Sequence, residues 1–265
     1  MKFKQSQLSK LTAATLGALA LMSAAPAMAG TIDFESVTPT IYGGTEVFTD
    51  GAYKLTVIDT PAAGPGGTGF AGAVGDGSDE FLCAIAACPV GNTSNFYLGV
   101  NDGSLKVERS DGQAFQLASI DYAFLAPVGN LGQYSFGQLT LVGVKADGGS
   151  VSYAYDFPVL NEAGASPFTT VWLSSTFGNS YLSSVTIGSC LYDGNGGCYS
   201  PLAGAENQSQ FAIDNLRVAP VPEPETYALM GLGLGLVGWM SRRRSRAAGA
   251  ARAARNNAVA NTTAA

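Results

Sequence analysis

The sequence predicts an all-β fold, a two-sheet β-sandwich or jelly roll, between a cleaved N-terminal signal peptide and a short C-terminal transmembrane helix. Three observations predict the β-domain: short stretches rich in β-branched and aromatic residues, Asp-Gly dipeptides between several of them, and no long amphipathic helical pattern. Many short strands in one domain are typical of sandwiches and jelly rolls. The predicted strands are Thr31–Glu35, Ala52–Ile58, Asn95–Val100, Leu105–Arg109, Ala114–Phe124, Gln138–Lys145, Val151–Phe157, Phe168–Leu173, Tyr181–Ile187 and Gln210–Val218.

Three Asp-Gly dipeptides mark predicted turns. Asp50-Gly51, Asp111-Gly112 and Asp147-Gly148 each lie between two predicted strands. Both residue types tolerate the positive φ that tight hairpins require. Two other stretches, Pro61–Gly77 and Ala203–Ser209, are predicted to be loops, because small and polar residues replace the usual strand formers there.

The N-terminus has the three parts of a secretory signal peptide. Basic residues are followed by an apolar stretch at 11–22, and Ala27-Met28-Ala29 supplies a small-residue cleavage site. The alternative, an uncleaved membrane anchor, is disfavoured because the apolar stretch is short. We therefore expect residues 1–29 to be removed, with cleavage after Ala29 and a mature chain that begins at Gly30.

Residues 30–220 are long enough for one domain with a full core, and no linker-like composition divides them. This stretch is strongly acidic. It contains five basic residues against eighteen acidic ones, a formal charge of −13. Nucleic acid is excluded as a partner, since a protein that binds it must neutralise phosphate charges. The charge suits an extracellular domain or one that binds cations.

The C-terminal segment begins with Val221, Pro222, Glu223 and Pro224, which keep the chain extended. An uncharged run, Tyr227–Met240, follows, and Arg242, Arg243 and Arg244 come directly after it. A helix over this run is roughly 21 Å long, short for an apolar bilayer core of ~30 Å. Length alone favours a buried core helix. Its terminal position, proline-broken entrance and basic exit favour a membrane helix with the arginines on the cytoplasmic side.

These residues resemble the PEP-CTERM sorting signal of bacteria, in which a Pro-Glu-Pro box, a short apolar span and an arginine cluster follow one another. The resemblance covers residues 221–246. It implies recognition by exosortase, a membrane-embedded processing enzyme, and delivery to the cell surface or the exopolysaccharide matrix. The chain departs from the signal at residues 247–265, a small and polar tail that we expect to be disordered.

Four cysteines lie in the exported part: Cys83, Cys88, Cys190 and Cys198. An even number in an oxidising compartment predicts two disulfides, and four cysteines allow three connectivities. Sequence proximity favours Cys83–Cys88 and Cys190–Cys198. A zinc site is disfavoured, because the spacings do not fit one and the chain contains no histidine.

The absence of histidine also excludes Ser-His-Asp and Cys-His catalysis. Glycoside hydrolysis by a pair of carboxylates stays open, because it needs only two acids at a suitable separation. No spacing marks such a pair among the acids. We therefore expect no enzymatic activity, with a secreted glycan-active hydrolase as the alternative.

Two groups of acids are candidates for structural calcium, a cation that prefers oxygen ligands. Asp76, Asp79 and Glu80 lie together in one predicted loop. Asp33, Glu35 and Asp214 lie in the first and last strands, and a resemblance to the jelly-roll domains of PEP-CTERM proteins and carbohydrate-binding modules implies a calcium site between them. The alternative for both groups is solvated surface acids.

We expect the domain to bind extracellular polysaccharide or to self-associate in the matrix. Aromatic side chains could form a sugar-binding face: Val151, Tyr153, Tyr155 and Phe157 share one strand face, and Trp172 is the only tryptophan of residues 30–220. Such a stripe more often fills a sandwich core. A loop aromatic such as Tyr134, Tyr192 or Tyr199 is the stronger candidate for contact with a ligand.

Overall fold

The chain divides into two units, and the larger one, Ala27–Val221, is a β-domain. The computed structural model describes residues 30–60, 67, 69–79, 88–126, 132–192, 197–199, 210–220, 230–240 and 242. The predicted signal peptide with its cleavage residues Ala27 and Ala29, the loop over 203–209, the box over 221–224 and the tail over 247–265 all lie outside the described residues.

Fourteen strands make up the described part of the β-domain. They are β1 (Gly30–Ile32), β2 (Thr40–Tyr42), β3 (Val47–Asp50), β4 (Tyr53–Ile58), β5 (Gly72–Asp76), β6 (Asn95–Gly99), β7 (Ser104–Arg109), β8 (Phe115–Phe124), β9 (Gly137–Lys145), β10 (Ser150–Asp156), β11 (Thr169–Trp172), β12 (Leu182–Tyr192), β13 (Cys198–Tyr199) and β14 (Phe211–Pro220). A one-turn helix, Ser175–Gly178, follows β11, and the side chain of Ser174 caps it.

The strands form one curled sheet with two layers. Layer A has the order β2-β5-β6-β14-β8-β11, and layer B has the order β3-β4-β7-β12-β9-β10. The pair Leu182 and Phe115 connects the layers. In addition, β1 pairs with the second half of β14, and β13 pairs with the end of β12.

The two layers pack face to face through aromatic and aliphatic side chains. The Tyr53 ring of layer B lies 5.6 Å from the Phe115 ring of layer A, and Phe48 of layer B lies 6.3 Å from Tyr97 of layer A. Most large side chains of this core have no exposed surface. The contacts confirm the all-β prediction and show sandwich layering, with a curled sheet in place of two separate ones.

The predicted loop over Pro61–Gly77 is wrong at its C-terminal end. Gly72–Asp76 forms β5, which pairs with both β2 and β6. A Cβ atom on Gly72 would lie 2.2 Å from the Tyr97 hydroxyl oxygen, so the strand requires glycine where strand propensity is lowest. Three other short strands, β2, β3 and β13, are also absent from the prediction.

The Asp-Gly dipeptides form turns as predicted. Gly51, Gly112 and Gly148 have φ values of 54°, 74° and 85°. They connect β3 to β4, β7 to β8 and β9 to β10. Glycine adopts this left-handed region without the steric penalty that a Cβ atom brings. Two of the turns close hairpins, because β3 pairs with β4 and β9 pairs with β10, whereas Asp111-Gly112 connects β7 of layer B to β8 of layer A.

In the second unit, residues 230–240 are helical. The described part of the chain contains no helix with the length and apolar character of a membrane span. The predicted span starts at Tyr227, outside the described residues, and its role stays a prediction.

Candidate functional site

Four side chains form a row across the outer face of layer A. Strand register places Thr31 opposite Arg217, Arg217 opposite Ser119, and Ser119 opposite Trp172. We call these four residues the outer row. Trp172 is 64% exposed, whereas the neighbouring Ile120 and Leu216 point into the core and are fully buried. A polar and aromatic strip therefore lies on the solvent side of the sheet.

A β-bulge in the last strand builds this row. Asp214 pairs with Asp121, and Arg217 pairs with Ser119, so three steps along β14 match two steps along β8. The extra residue puts Asp214 and Arg217 on the same face, although their odd spacing would place them on opposite faces of a regular strand. Asn215, in the bulge, has a φ of 48°.

Arg217 differs from the other basic residues of the β-domain. Lys54 and Lys106 contact Glu108, Arg109 contacts Asp111, and Lys145 contacts Asp147. Arg217 forms no salt bridge within the described residues. Its guanidinium carbon lies 5.3 Å from the centre of the Trp172 ring, a cation–π contact. This contact passes over Ser119, which lies between Arg217 and Trp172 in the strand register and is fully buried.

Asp214 lies beside the outer row and is fully buried. Its Oδ2 atom accepts hydrogen bonds from Asn92 Nδ2 at 2.6 Å, Ser94 Oγ at 3.0 Å and Asn215 Nδ2 at 3.2 Å. Its Oδ1 atom accepts from the backbone N–H of Asn215 at 2.7 Å. The carboxylate thus fastens the turn before β6 to the bulge of β14.

Burial raises the pKa of Asp214 to about 6, and the nearby charge of Asp121 acts in the same direction. The hydrogen bonds from Asn92, Asn215 and Ser94 oppose this shift, since they favour the charged carboxylate. Asn215 Nδ2 also donates to Asp121 Oδ2 at 3.0 Å. One amide group therefore bridges two carboxylates on the outer face.

The terminal acids predicted for calcium have separate partners. Glu35 Oε1 accepts from the backbone N–H of Asn95 at 2.8 Å, next to the turn that Asp214 holds. Asp33 Oδ1 instead accepts from the backbone N–H of Glu35 at 3.3 Å. In the described ranges, no group of three or more acidic, cysteine or histidine side chains is placed to hold a metal.

In the loop candidate, Asp76 Oδ1 accepts from the backbone N–H and the hydroxyl of Ser78, at 2.8 and 2.6 Å. These bonds lower the pKa of Asp76. Asp79 donates its backbone N–H to the Asp76 carbonyl at 3.0 Å, and Glu80 lies outside the described residues. This geometry is that of a turn in which the side chain of Asp76 accepts hydrogen bonds from a residue of the same turn. Calcium binding at either group of acids stays a prediction.

We expect calcium to raise the melting temperature if either group binds it. Calcium at ~100 times its Kd contributes about 2.7 kcal/mol, or roughly 5–10 °C for a domain of this size. Magnesium should do much less, because it requires tighter octahedral geometry. Melting curves in chelator, calcium and magnesium measure this. Glu35→Gln should abolish the calcium-dependent rise if the terminal group binds calcium, and Asp79→Ala should abolish it if the loop group does. Identical wild-type melting curves in chelator, calcium and magnesium would contradict both sites.

Of the four cysteines, Cys88 and Cys190 are disulfide-bonded, and no described cysteine is free. Cys83 and the side chain of Cys198 lie outside what the structure describes. The backbone of Cys198 pairs with Tyr192, two residues beyond Cys190 on β12. The local connectivity, Cys83–Cys88 and Cys190–Cys198, stays a prediction.

The aromatic stripe of β10 belongs mainly to the core. Phe157 is buried, and Val151 and Tyr155 pack against the main cluster. Tyr153 is 44% exposed because β10 lies at the edge of layer B. The stripe fills the sandwich, and Trp172 is the aromatic side chain that the fold presents to solvent on layer A.

The comparison with known protein families gives a match in the C-terminal segment of the chain. A family model described as the PEP-CTERM protein-sorting motif matches residues 220–244. The chain carries a PEP-CTERM sorting motif. The motif contains every residue predicted for the signal: Val221, Pro222, Glu223, Pro224, Arg242, Arg243 and Arg244. Among these seven, Arg242 is the one that the structure describes, and it is helical.

Several solved structures are similar to this chain. A DUF4465 family protein from Bacteroides caccae is 13% identical, with a TM-score of 0.46 over 73% of this chain and 100% of that one. A Stig cyclase from Fischerella sp. TAU is 13% identical, with a TM-score of 0.38 over 74% and 99%. An exo-beta-agarase is 11% identical, with a TM-score of 0.35 over 72% and 25%. No curated protein sequence matches the chain.

The sequence-based prediction did not find Ser119, Asp121, Asn92, Asn215 or Arg217. One local signal was available, since Asp214-Asn215 places two poor strand formers inside a predicted strand. Such a pair can mark a bulge, because Asp and Asn tolerate a positive φ better than most other residues that carry a side chain. The partners of the bulge on β6, β8 and β11 are distant in sequence, so their identity required the strand order.

Proposed function

We propose that this is an exported protein that exosortase processes and that acts at the cell surface or in the extracellular matrix, where its β-domain binds polysaccharide. The PEP-CTERM motif at residues 220–244 carries the proposal. The basic and apolar N-terminus supports export independently. In this proposal the uncharged run over 227–240 holds the processing intermediate in the inner membrane, and the arginines keep the C-terminus in the cytoplasm.

We propose a binding role without catalysis. The runner-up, a hydrolase with a carboxylate pair, is favoured by one observation: Asp121 and Asp214 both accept from Asn215 Nδ2, which places their oxygens close together. However, Asp214 has no exposed surface and four hydrogen-bond donors occupy its oxygens. A general acid must reach the glycosidic oxygen of its substrate. This supports a structural role for the pair.

Replacing Pro222-Glu223-Pro224 with three alanines should leave the protein unprocessed in the inner membrane, because the box that exosortase recognises is lost. The measurement is cell fractionation with mass spectrometry of the mature termini. Glu225→Ala, just outside the box, is the matched control and should be processed normally. Surface delivery of the triple-alanine variant at the wild-type level would contradict the proposal.

A further inference from the structure

The outer row combines three features that point to a ligand. The first is the exposure of Trp172, which leaves 64% of its surface in solvent. Its strand, β11, pairs with β8 on one side and lies at the edge of layer A in the described sheet. Arg217 covers one face of the indole from the inner side of the row. The face that points away from Arg217 is therefore open.

The second feature is the guanidinium of Arg217. Its cation–π contact with Trp172 holds the indole in place, while its N–H donors make no hydrogen bond or salt bridge within the described residues. Arg217 and Thr31 are both exposed and are neighbours in the row. Hydrogen-bond donors and a hydroxyl group thus lie beside an aromatic surface that is already ordered.

The third feature is Ser119. Its Oγ atom is fully buried and has no hydrogen-bond partner among the residues that the structure describes. It lies on the outer face between Arg217 and Trp172. A buried hydroxyl without a partner is less favourable than one that is satisfied, because it has lost its hydrogen bonds to water. A ligand hydroxyl that displaces the guanidinium of Arg217 from its position over Ser119 would provide the missing partner.

We propose that the outer row is the polysaccharide-binding site of this domain and that it takes an uncharged sugar ring. The inference rests on the proposed function. The apolar C–H face of one ring stacks on the open face of Trp172. The adjoining ring of the polymer lies across the other side of the indole, where its hydroxyls accept from Arg217, pair with Thr31 and reach Ser119 once the guanidinium moves aside. Trp and Arg are the residues that most often dominate binding energies at protein interfaces.

Charge selects a neutral polymer over an acidic one. The domain has a formal charge of −13, and its other basic residues already pair with acids. Asp121 and Asp214 occupy the adjacent row, within the ~8–10 Å over which charges act at physiological salt. The single charge of Arg217 therefore produces no positive patch that would attract a polyanion.

Tryptophan fluorescence can test this site directly. The full-length chain has two tryptophans, Trp172 and Trp239. In a Trp239→Phe background, emission comes from Trp172 alone. The probes are exopolysaccharide from the producing strain, separated by anion exchange into neutral and acidic fractions. We expect the neutral fraction to shift the emission and to protect Trp172 from a soluble quencher, and the acidic fraction to do neither.

Variants then separate binding from folding. Trp172→Ala should weaken binding of the neutral fraction at least tenfold in affinity electrophoresis, with an unchanged melting curve. Ser119→Ala should weaken binding about fivefold and raise the melting temperature by about 2–4 °C, because it removes a buried hydroxyl without a partner. These opposite signs would not follow from a merely structural role. Tyr181→Ala removes an aromatic side chain that is 52% exposed and directly precedes β12 of layer B, and it should change neither the affinity nor the melting temperature.

Three results would overturn the site. The first is that Trp172→Ala keeps the wild-type affinity, and the second is that the domain prefers the acidic fraction. The third is a change of oligomeric state that depends on Trp172 and occurs without polysaccharide binding. That result would make the outer row a contact between copies of the chain. Because the assay uses purified protein, it is independent of sorting. Failure of the triple-alanine test with intact binding would overturn exosortase recognition alone.

Discussion

Replacing Asp214 with alanine is expected to lower the free energy of unfolding by at least about 3 kcal/mol. The change removes the acceptor of four hydrogen bonds and leaves without it the donors of Asn92, Ser94 and Asn215, which are all partly buried. Each buried donor without a partner is unfavourable by about 1–3 kcal/mol. The melting temperature should fall by roughly 6–12 °C. Urea denaturation at pH 5 measures the loss, because the raised pKa of Asp214 destabilises the wild-type domain less there than at neutral pH.

Asp121→Ala is the matched control for this variant. Asp121 faces Asp214 across the same strand pair and is half-buried, and it accepts a hydrogen bond from the side chain of Asn215. We expect its removal to change the free energy of unfolding by no more than about 1 kcal/mol. Equal losses for the two variants would contradict the view that Asp214 fastens β6 to β14.

The β-domain is also expected to become less stable as the pH rises from 4 to 6. Burial raises the pKa of Asp214 to about 6 in the folded state, above the value of an exposed aspartate. Between these two pKa values the folded state binds more protons than the unfolded state, so the free energy of unfolding falls with rising pH. The total change is about 3 kcal/mol and is complete once the pH exceeds the folded pKa.

Asp214→Asn should flatten this pH dependence, since an amide does not titrate. The comparison of the two proteins by urea denaturation between pH 4 and pH 7 isolates Asp214 from the remaining acids. Below pH 4 the slope should reverse, because hydrogen bonds and ion pairs lower the pKa values of Asp111, Glu108, Asp147 and Asp156. A wild-type domain that gains stability between pH 4 and pH 6 would contradict the burial of Asp214.

Most strands could be predicted because their signals are local. In β4, buried and half-buried residues alternate from Tyr53 to Ile58, as the period of a strand requires. The prediction failed for β5, where glycine is required by contact with Tyr97, a residue more than twenty positions away. A propensity that averages over local composition cannot detect such a contact.

The sorting segment, the Asp-Gly turns and the all-β class could be inferred from the sequence alone, since each depends on residues that are adjacent or nearly adjacent in the chain. Which acids are buried and which side chains share a face depend on the order and register of strands that are distant in sequence. The bulge at Asn215 brings Asp214 and Arg217 to one side of the sheet, and the register of β8 and β11 then places Ser119 and Trp172 beside them. Inserting one residue into one strand moves every later side chain of that strand to the opposite face of the sheet. This change can be recognised only when the partner strand is known.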